Sequence, residues 1–356
     1  MGKFTVSIDQ LSKIATKIFM SAGYDAIDAA YAADVLVETD RRGVDTHGVA
    51  RLEFYHMVTM ENQVNIEAKH HILRDDPPFL MLDADNGLGI IAAPKALELA
   101  IQRAKEQGIC VMGVQNSNHF GAAGYYAAKC ANEGFITIVS SNSPPTAAPI
   151  GGKANILGNS PWSMALPGGM RHPDPVMFDM ACSEVSRGKC ETALREGREI
   201  PIGWGLDAKG EPSTDPNEVL KGCLLPFGGI KGYCITLLVE AFSSILTFAS
   251  YGNGTNMGNG RYNTSHFFLL MDPAKFGDFA TYKDSIDVYF ENIKYSPQAS
   301  GVEEIIIPGE LESRAIKYRN EHGINLDDVV AASLAEVAVK CGLLDDSQSF
   351  GDMLAW

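Results

Sequence analysis

The sequence predicts an α/β protein in which a mixed-sheet body is inserted into a discontinuous helical domain made from both ends of the chain. Three observations predict this. Up to about residue 65, and again after about residue 311, apolar side chains recur at helical spacing behind recognisable caps. From Leu73 onwards, short apolar runs alternate with helical stretches, and glycine-rich turns separate them. A length of 356 residues suits roughly two domains, and neither an internal repeat nor a low-complexity linker divides the chain. The expected division is 1–72 plus 311–356 for the helical domain and 73–310 for the α/β body.

The elements follow in order. Ser7-x-x-Gln10 has the form of a capping box, and Leu11, Ile14, Ala15, Ile18 and Phe19 follow at helical spacing until Gly23. Asp25 opens a second helix through Ala29, Ala32, Ala33 and Leu36. A third is expected from Asp45 or Thr46, as N-cap, through Tyr55. Phe79 to Leu82 reads as a strand, Ala92 to Ala104 as a helix ended by Gly108, and Ile109 to Val114 as a buried strand. Ala122 to Asn132 is helical. Phe135 to Ser140, Trp162 to Leu166, Val176 to Met180 and Phe267 to Leu270 are strands. Ile230 to Phe248 reads as one long apolar helix, and Ile305 to Ile307 as a last short strand. The tail returns to helices, Leu311 to Tyr318 and then a run capped at Asn325-x-x-Asp328 and ended by Gly342.

Composition excludes several classes. At 46% hydrophobic and 21% charged residues, the chain is an ordinary globular protein. A net charge of −15 argues against nucleic acid or an anionic membrane as partner. No apolar run approaches the length of a membrane span, and Met1-Gly2-Lys3-Phe4 shows no apolar signal region. Seven scattered cysteines, with no C-x-x-C pair, suit reduced thiols in the cytoplasm rather than disulfides or zinc.

The candidate chemistry starts on the third helix. His47, Arg51 and Tyr55 stand at i, i+4 and i+8, which places them on one face. Arg is suited to gripping a carboxylate through two hydrogen bonds, and His to passing a proton near neutral pH. Together they suit a small acid with a reacting oxygen beside its carboxylate; a solvated helix face would have the same spacing. His119, in Asn118-His119-Phe120-Gly121, lies just past a strand end, where α/β proteins place reacting groups. The alternative is a ring that satisfies loop backbone. Leu225-Pro226-Phe227-Gly228-Gly229-Ile230-Lys231-Gly232 and Pro308-Gly309-Glu310 each precede a helix. They would offer backbone N–H groups, a cation and a carboxylate to a nucleotide, or else serve as an ordinary glycine loop and a helix-dipole partner. No G-x-G-x-x-G occurs, and Gly152-Lys153 and Gly188-Lys189 lack the Ser or Thr of a Walker-type loop. A bound nucleotide would therefore be held without a Rossmann fingerprint.

Taken whole, the sequence resembles the malate/L-lactate dehydrogenase family that is unrelated to the Rossmann-type enzymes. That family also includes ureidoglycolate, sulfolactate and diketogulonate oxidoreductases and cyclic-imine reductases. The resemblance covers nearly the entire chain. It is carried by Arg42 to Leu52, Asn116 to Tyr126, Phe178 to Ser183, Glu196 to Asp207, Leu225 to Gly232 and Pro308 to Glu310. It implies a non-Rossmann nucleotide-binding domain, NAD or NADP as cofactor, and a homodimer with residues of both subunits near the active site. The family's two histidines match His47 and His119. Substrate contacts are expected at Thr46, Arg51, Tyr55 and Asn159. Cofactor contacts are expected at Ser143, Phe178, Asp179, Met180, Ala181, Ser183, Lys231, Pro308, Gly309 and Glu310. Three places depart from the family's usual pattern: Thr46 stands for Ser, Gly158-Asn159-Ser160-Pro161 for Gly-Thr-Asn-Pro, and Ala181-Cys182-Ser183 for Ala-Thr-Ser.

The expected reaction is hydride transfer between a nicotinamide and C2 of a 2-hydroxy/2-oxo acid, with no metal. His47 is expected to move the proton, beside the carboxylate on Arg51, while His119 polarises the C2 oxygen; the swapped roles remain open. Malate/oxaloacetate ranks ahead of lactate/pyruvate, with other 2-oxo acids, ureidoglycolate and cyclic imino acids behind. A different class, a small-anion binding protein without turnover, also fits the residues.

Overall fold

A computed structural model describes residues 4–258 and 261–356; Met1-Gly2-Lys3, read above for a signal segment, lies outside them. The body is a seven-stranded sheet in the order His71–Asp76, Phe79–Asp83, Ile109–Ser117, Thr264–Met271, Ile136–Ser141, Trp162–Leu166, Val176–Met180. Phe79–Asp83 runs parallel to Ile109–Ser117, and every other neighbouring pair is antiparallel. The mixed sheet was expected; its exposed edge strand His71–Asp76 was not, because every residue in it faces water and no apolar alternation marks it.

Consecutive side chains of the central strand serve opposite faces, as the pleat demands. Phe268 meets Tyr126 of the Ala123–Asn132 helix, with ring centroids 5.7 Å apart. Its neighbour Phe267 stacks on Phe242 at 5.2 Å. A second, smaller core of Ala147, Leu157, Val185, Cys190, Ala193, Ile200, Val219 and Leu224 lies beside a four-stranded sheet of short strands.

The two ends of the chain meet. Phe4–Val6 pairs antiparallel with Ile324–Leu326, and the Ile8–Ser21 helix starts with the expected capping box at Ser7 and Gln10. Ala26–Arg41 is capped by Asp25, whose side chain accepts from the Ile27 and Asp28 amides. Their apolar stripes join one continuous core with Leu80, Met112 and Phe268 of the sheet and with Leu334, Val337 and Phe350 of the tail.

The structure corrects five expectations. The single helix from Asp45 to Tyr55 is three pieces: short 3₁₀ turns at Asp45–His47 and Val49–Arg51, then an α-helix Leu52–Met60. Neither Asp45 nor Thr46 caps it. The long helix starting at Ile230 is regular only to Glu240, followed by a π-type turn at Ala241–Ile245. There the Ser244 and Thr247 hydroxyls donate to the Glu240 and Ser243 carbonyls at 2.5 and 2.7 Å and compete with the helical ladder. Ile305 to Ile307 is not a strand. Asn325 lies inside the Ile324–Leu326 strand, and Asp327 caps the Asp328–Lys340 helix through the Val330 amide. The exposed helix Phe279–Lys294 has only Asp287 buried and carries no core stripe by which sequence could announce it.

Candidate active site

The strand Ile109–Ser117 ends at the sheet rim and hands the chain to Asn118 and His119. Asn118 is fixed there by three contacts from its amide nitrogen to the Asn86 carbonyl and side chain and the Gly87 carbonyl, at 3.2 to 3.3 Å. From the other side, the Leu52–Met60 helix brings Tyr55, 1% exposed, against the same loop. The Tyr55 hydroxyl lies 2.6 Å from His119 Nδ1, and the Gly121 amide donates to that nitrogen at 3.3 Å. The His47 and His119 rings stack at 5.9 Å with an interplanar angle of 20°. Phe54 closes the edge at 6.0 Å from His119.

Thr46 Oγ1 lies 3.0 Å from His47 Nδ1, and Arg51 Nε donates to the Thr46 carbonyl at 3.0 Å. Arg51 is exposed, and among the described residues its guanidinium has no carboxylate partner. Its Nη groups therefore remain for a ligand. Thus Thr46, His47, Arg51, Tyr55 and His119 form one cluster, although the regular helix meant to assemble them is broken.

Burial sets the charge state of both rings. Desolvation pushes His47 down to about 4, helped by the Arg51 cation. It pushes His119 down to about 3, with His47, Arg51 and His266 adding. Both imidazoles are neutral near pH 7. Because the Gly121 N–H can only donate, Nδ1 of neutral His119 is an acceptor and its proton sits on Nε2. His266 lies behind this loop, fully buried and stacked on Phe120 at 4.4 Å. Its two nitrogens meet the Ser141 and Ser117 hydroxyls, each at 2.9 Å. It supports the loop from the core.

The expected cofactor stretches are stitched along one line, the Val176–Met180 strand and its continuation to Ser183. At its start the Met177 amide donates to the Pro308 carbonyl at 3.1 Å, and Gly309, with φ +97°, packs directly on the Pro175 carbonyl. In the middle, Asp179 accepts from the Gly124 amide at 2.8 Å, which ties the strand to the helix following His119. Phe178 packs edge-on to Trp162 at 4.6 Å, next to Met180 and Ala181. At the far end, Cys182 receives Phe227 N–H at 3.1 Å, and Ser183 bridges to Pro226 in the glycine turn. Ser183 also donates to Asn159 at 2.5 Å, and Ser143 accepts from the Ser160 amide at 3.1 Å.

Lys231 is exposed in the first turn of the Ile230–Glu240 helix and has no carboxylate partner among the described residues. Gly228 and Gly229 have φ +55° and +64°, a conformation that favours glycine, and shape the turn in front of it. One amide of that turn, at Gly228, is already given to Glu184 at 3.0 Å. A free cation at a helix start suits a cofactor phosphate. Glu310 is less available than its sequence position suggested. It pairs with Lys294 at 2.7 Å and accepts from the Ile307 amide at 3.2 Å. It lines a cavity of about 250 Å³ with Arg171, Asp287, Lys294 and Arg314, which excludes His47 and His119. No sequence signal marks Asp40, which sits nine residues before the Val49 amide that it binds, and the place of His266 near a strand start left its role open. Among the described residues no group of His, Cys, Asp and Glu is arranged to hold a metal ion.

Two stacked imidazoles with an unpaired guanidinium next to them, on a fold with no Rossmann fingerprint, suit a dehydrogenase of the non-Rossmann class. The chain belongs to the malate/L-lactate dehydrogenase family, whose model matches residues 6–335. It is 35% identical to the L-sulfolactate dehydrogenase of Methanocaldococcus jannaschii, over 93% of this chain and 95% of that protein. The solved structure of sulfolactate dehydrogenase from that organism superposes with a TM-score of 0.89, at 34% identity, covering 98% of this chain and 99% of that one. Identity to the malate dehydrogenase of Pyrococcus horikoshii is 36%, over 94% of this chain and 95% of the relative. Chromohalobacter salexigens provides a further relative, (2R)-3-sulfolactate dehydrogenase (NADP(+)), 30% identical over 94% of this chain and 98% of its own length.

Proposed function

We propose that this dehydrogenase transfers a hydride between the nicotinamide of NAD or NADP and C2 of a 2-hydroxy/2-oxo acid, with acids that bear a second acidic group ranked first. Malate/oxaloacetate comes first, the sulfonate analogue sulfolactate beside it, and lactate/pyruvate next. The observation that carries this reading is Arg51, whose Nε is held by Thr46 while its Nη groups stay unpaired next to two neutral imidazoles. A planar fork of that kind matches a carboxylate. The relatives named for malate and for sulfolactate support the second acidic group, since each of those acids carries one on C3.

When bound, the cofactor supplies or accepts the hydride. The chain's own groups orient the acid and move the proton. His47, with Nδ1–H directed to Thr46 Oγ1, presents Nε2 as the base for the C2 hydroxyl in oxidation and, once it has taken up a proton there as imidazolium, as the acid in reduction. His119 donates its Nε2–H to the same oxygen while Tyr55 and Gly121 hold Nδ1. Lys231 offsets phosphate charge on the cofactor, and the Pro308–Gly309 turn packs at the other end of the track.

Residues 1–72 with 311–356 form the arm that carries Arg51 and His47, on the body 73–310. The assembly is a homodimer. Supporting it, Ile230, Leu238, Ile245 and Phe248 on the 230–248 stretch are exposed, Phe248 by 89%. The free cysteines suit a cytoplasmic enzyme. No helix among the described residues is long and apolar enough to cross a membrane.

The test is comparative kcat/KM for oxaloacetate, sulfopyruvate, pyruvate, a diketo sugar acid and a cyclic imino acid, with NADH and with NADPH. A cyclic imine ahead by about tenfold, ~1.4 kcal/mol of transition-state binding, would sink the hydroxy-acid assignment and leave hydride transfer intact. Acid binding with no turnover under any pairing would return the protein to an anion-binding role.

A further inference from the structure

The turn that carries His47 and Arg51 is 3₁₀ on both sides of Gly48, and at Val49 the amide leaves the ladder for a group outside the turn. In a continuous helix the Val49 amide would donate to the Asp45 carbonyl. Instead it donates to Asp40 Oδ2 at 2.8 Å, while Gly48 makes only a long 3₁₀-type bond to Asp45, at 3.4 Å. Gly48 takes φ −84° and ψ −145°, and the next turn restarts with Arg51 N–H on the Gly48 carbonyl at 2.9 Å. Asp40 is 2% exposed at the end of the Ala26–Arg41 helix. Its carboxylate presses on the break itself: a Cβ built on Gly48 would lie 1.8 Å from Asp40 Oδ1. The far side is held too. Arg319, on the Glu310–His322 helix, donates to the Asp40 carbonyl and grips Asp45, with Nη2 to Oδ2 at 3.1 Å.

We propose that Asp40 is a positioning residue: by taking the Val49 amide out of the helical ladder it sets the angle between His47 and Arg51 and so fits the acid to both. This rests on the roles given above to His47 and Arg51. Asp40 touches neither ring nor guanidinium. It acts through the backbone between them, where a shift of about 1 Å is enough to cost a large factor in rate. Left without an acceptor, the buried Val49 N–H would turn back to Asp45 and close the regular helix. That would rotate His47 relative to Arg51. The groups facing the carboxyl are Asp45, which raises its pKa, and Arg319, which lowers it. Burial exceeds both and pushes it up to about 7, against the Val49 hydrogen bond. An oxygen remains free to accept from Val49 in either protonation state, so Asn is its conservative replacement.

The experiment compares wild type, Asp40→Ala, Asp40→Asn, Arg51→Ala and the Asp40→Ala/Arg51→Ala double variant. It reads kcat/KM for the best 2-oxo acid, Kd for the reduced cofactor by fluorescence, and Tm. Asp40→Ala should lose about tenfold or more in kcat/KM with cofactor Kd little changed, and Asp40→Asn should restore most of it. In the Arg51→Ala background the Asp40→Ala loss should largely vanish, because the two act as one unit. A lower Tm with kcat/KM unchanged would make Asp40 merely structural. A loss of equal size in the Arg51→Ala background would place its effect elsewhere. Either result overturns the proposal. Arg51→Ala alone reads the site assignment: if it leaves kcat/KM intact, that assignment fails and the positioning role falls with it. A large loss there, with none from Asp40→Ala, sinks the positioning role alone. Should Asp40→Ala not fold, Gly48→Ala presses the same contact from the other side, and an unchanged kcat/KM in that variant also overturns the proposal.

Discussion

The Tyr55 hydroxyl and His119 Nδ1 are 2.6 Å apart, and this short contact occupies Nδ1 and leaves Nε2 as the open nitrogen of the ring. With Gly121 donating to the same atom, neutral His119 is a donor through Nε2. Tyr55→Phe removes one of the two bonds that hold the ring. A net hydrogen bond of about 0.5–1.5 kcal/mol corresponds to a kcat lower by roughly two- to tenfold. Steady-state kinetics should show this loss with the cofactor Kd unchanged; an equal loss in cofactor binding would move Tyr55 out of the acid–base group.

His47→Ala and His119→Ala should each cripple turnover by ~10²–10⁴-fold while reduced cofactor still binds. The pair also separates the roles. An added small base should rescue the His47 variant in the oxidation direction. Rescue of the His119 variant alone would swap the assignment.

The pH profile should be displaced from that of an ordinary histidine. Oxidation needs a neutral base, and burial has pushed His47 down to about 4 and His119 to about 3. The acid limb of kcat/KM for the hydroxy acid should therefore lie near pH 4, with a plateau through neutrality. A limb centred near 6.5 would mean that the rings are better solvated than their packing indicates.

Arg51→Lys should raise KM for the acid far more than Kd for the cofactor, because an ammonium cannot replace the planar fork. Lys231→Met should do the reverse: a higher cofactor Kd, most marked at low salt where screening is weak. Isothermal titration with the reduced cofactor at two ionic strengths checks the second variant. An unchanged Kd would return the glycine turn to a purely structural role.

Asp40 gives a stability prediction with a definite sign. Its carboxyl is raised to about 7 in the fold, above its ordinary 3.8, so the native state binds the extra proton between those values. That contribution is fully present below 3.8 and is lost as pH rises towards 7. Asp40→Asn lacks the ionisation, so its Tm relative to wild type should rise between about pH 4 and pH 7 and level off above that. A pH-independent difference would show that Asp40 ionises normally.

Much of the fold was legible because periodicity carried it. The capping box at Ser7, the helix behind Asp25 and the strands around Val114 and Ala165 all stand where apolar spacing put them. Legibility failed where a distant group outcompeted a local ladder. The turn at Gly48 breaks because Asp40 takes a bond that helical spacing assigns to Asp45. The stretch after Glu240 loosens because Ser244 and Thr247 bond their own backbone. The residues of the His47–His119 cluster were legible as types in a motif. Their assembly was not, since the Tyr55–His119 and His47–His119 contacts join segments 64 and more residues apart.

The pairing of Phe4–Val6 with Ile324–Leu326 has a consequence for how the enzyme comes into being. A nascent chain that has emerged as far as Met271 already has every strand of the seven-stranded sheet. Its first strand still has no partner, and Asp45 has no Arg319. The turn that carries His47 and Arg51 is thus secured only after Arg319 has been translated. Chains that stop short of Arg319 carry the complete sheet with an unfinished arm, so the body and the turn beside it are completed at separate points of synthesis.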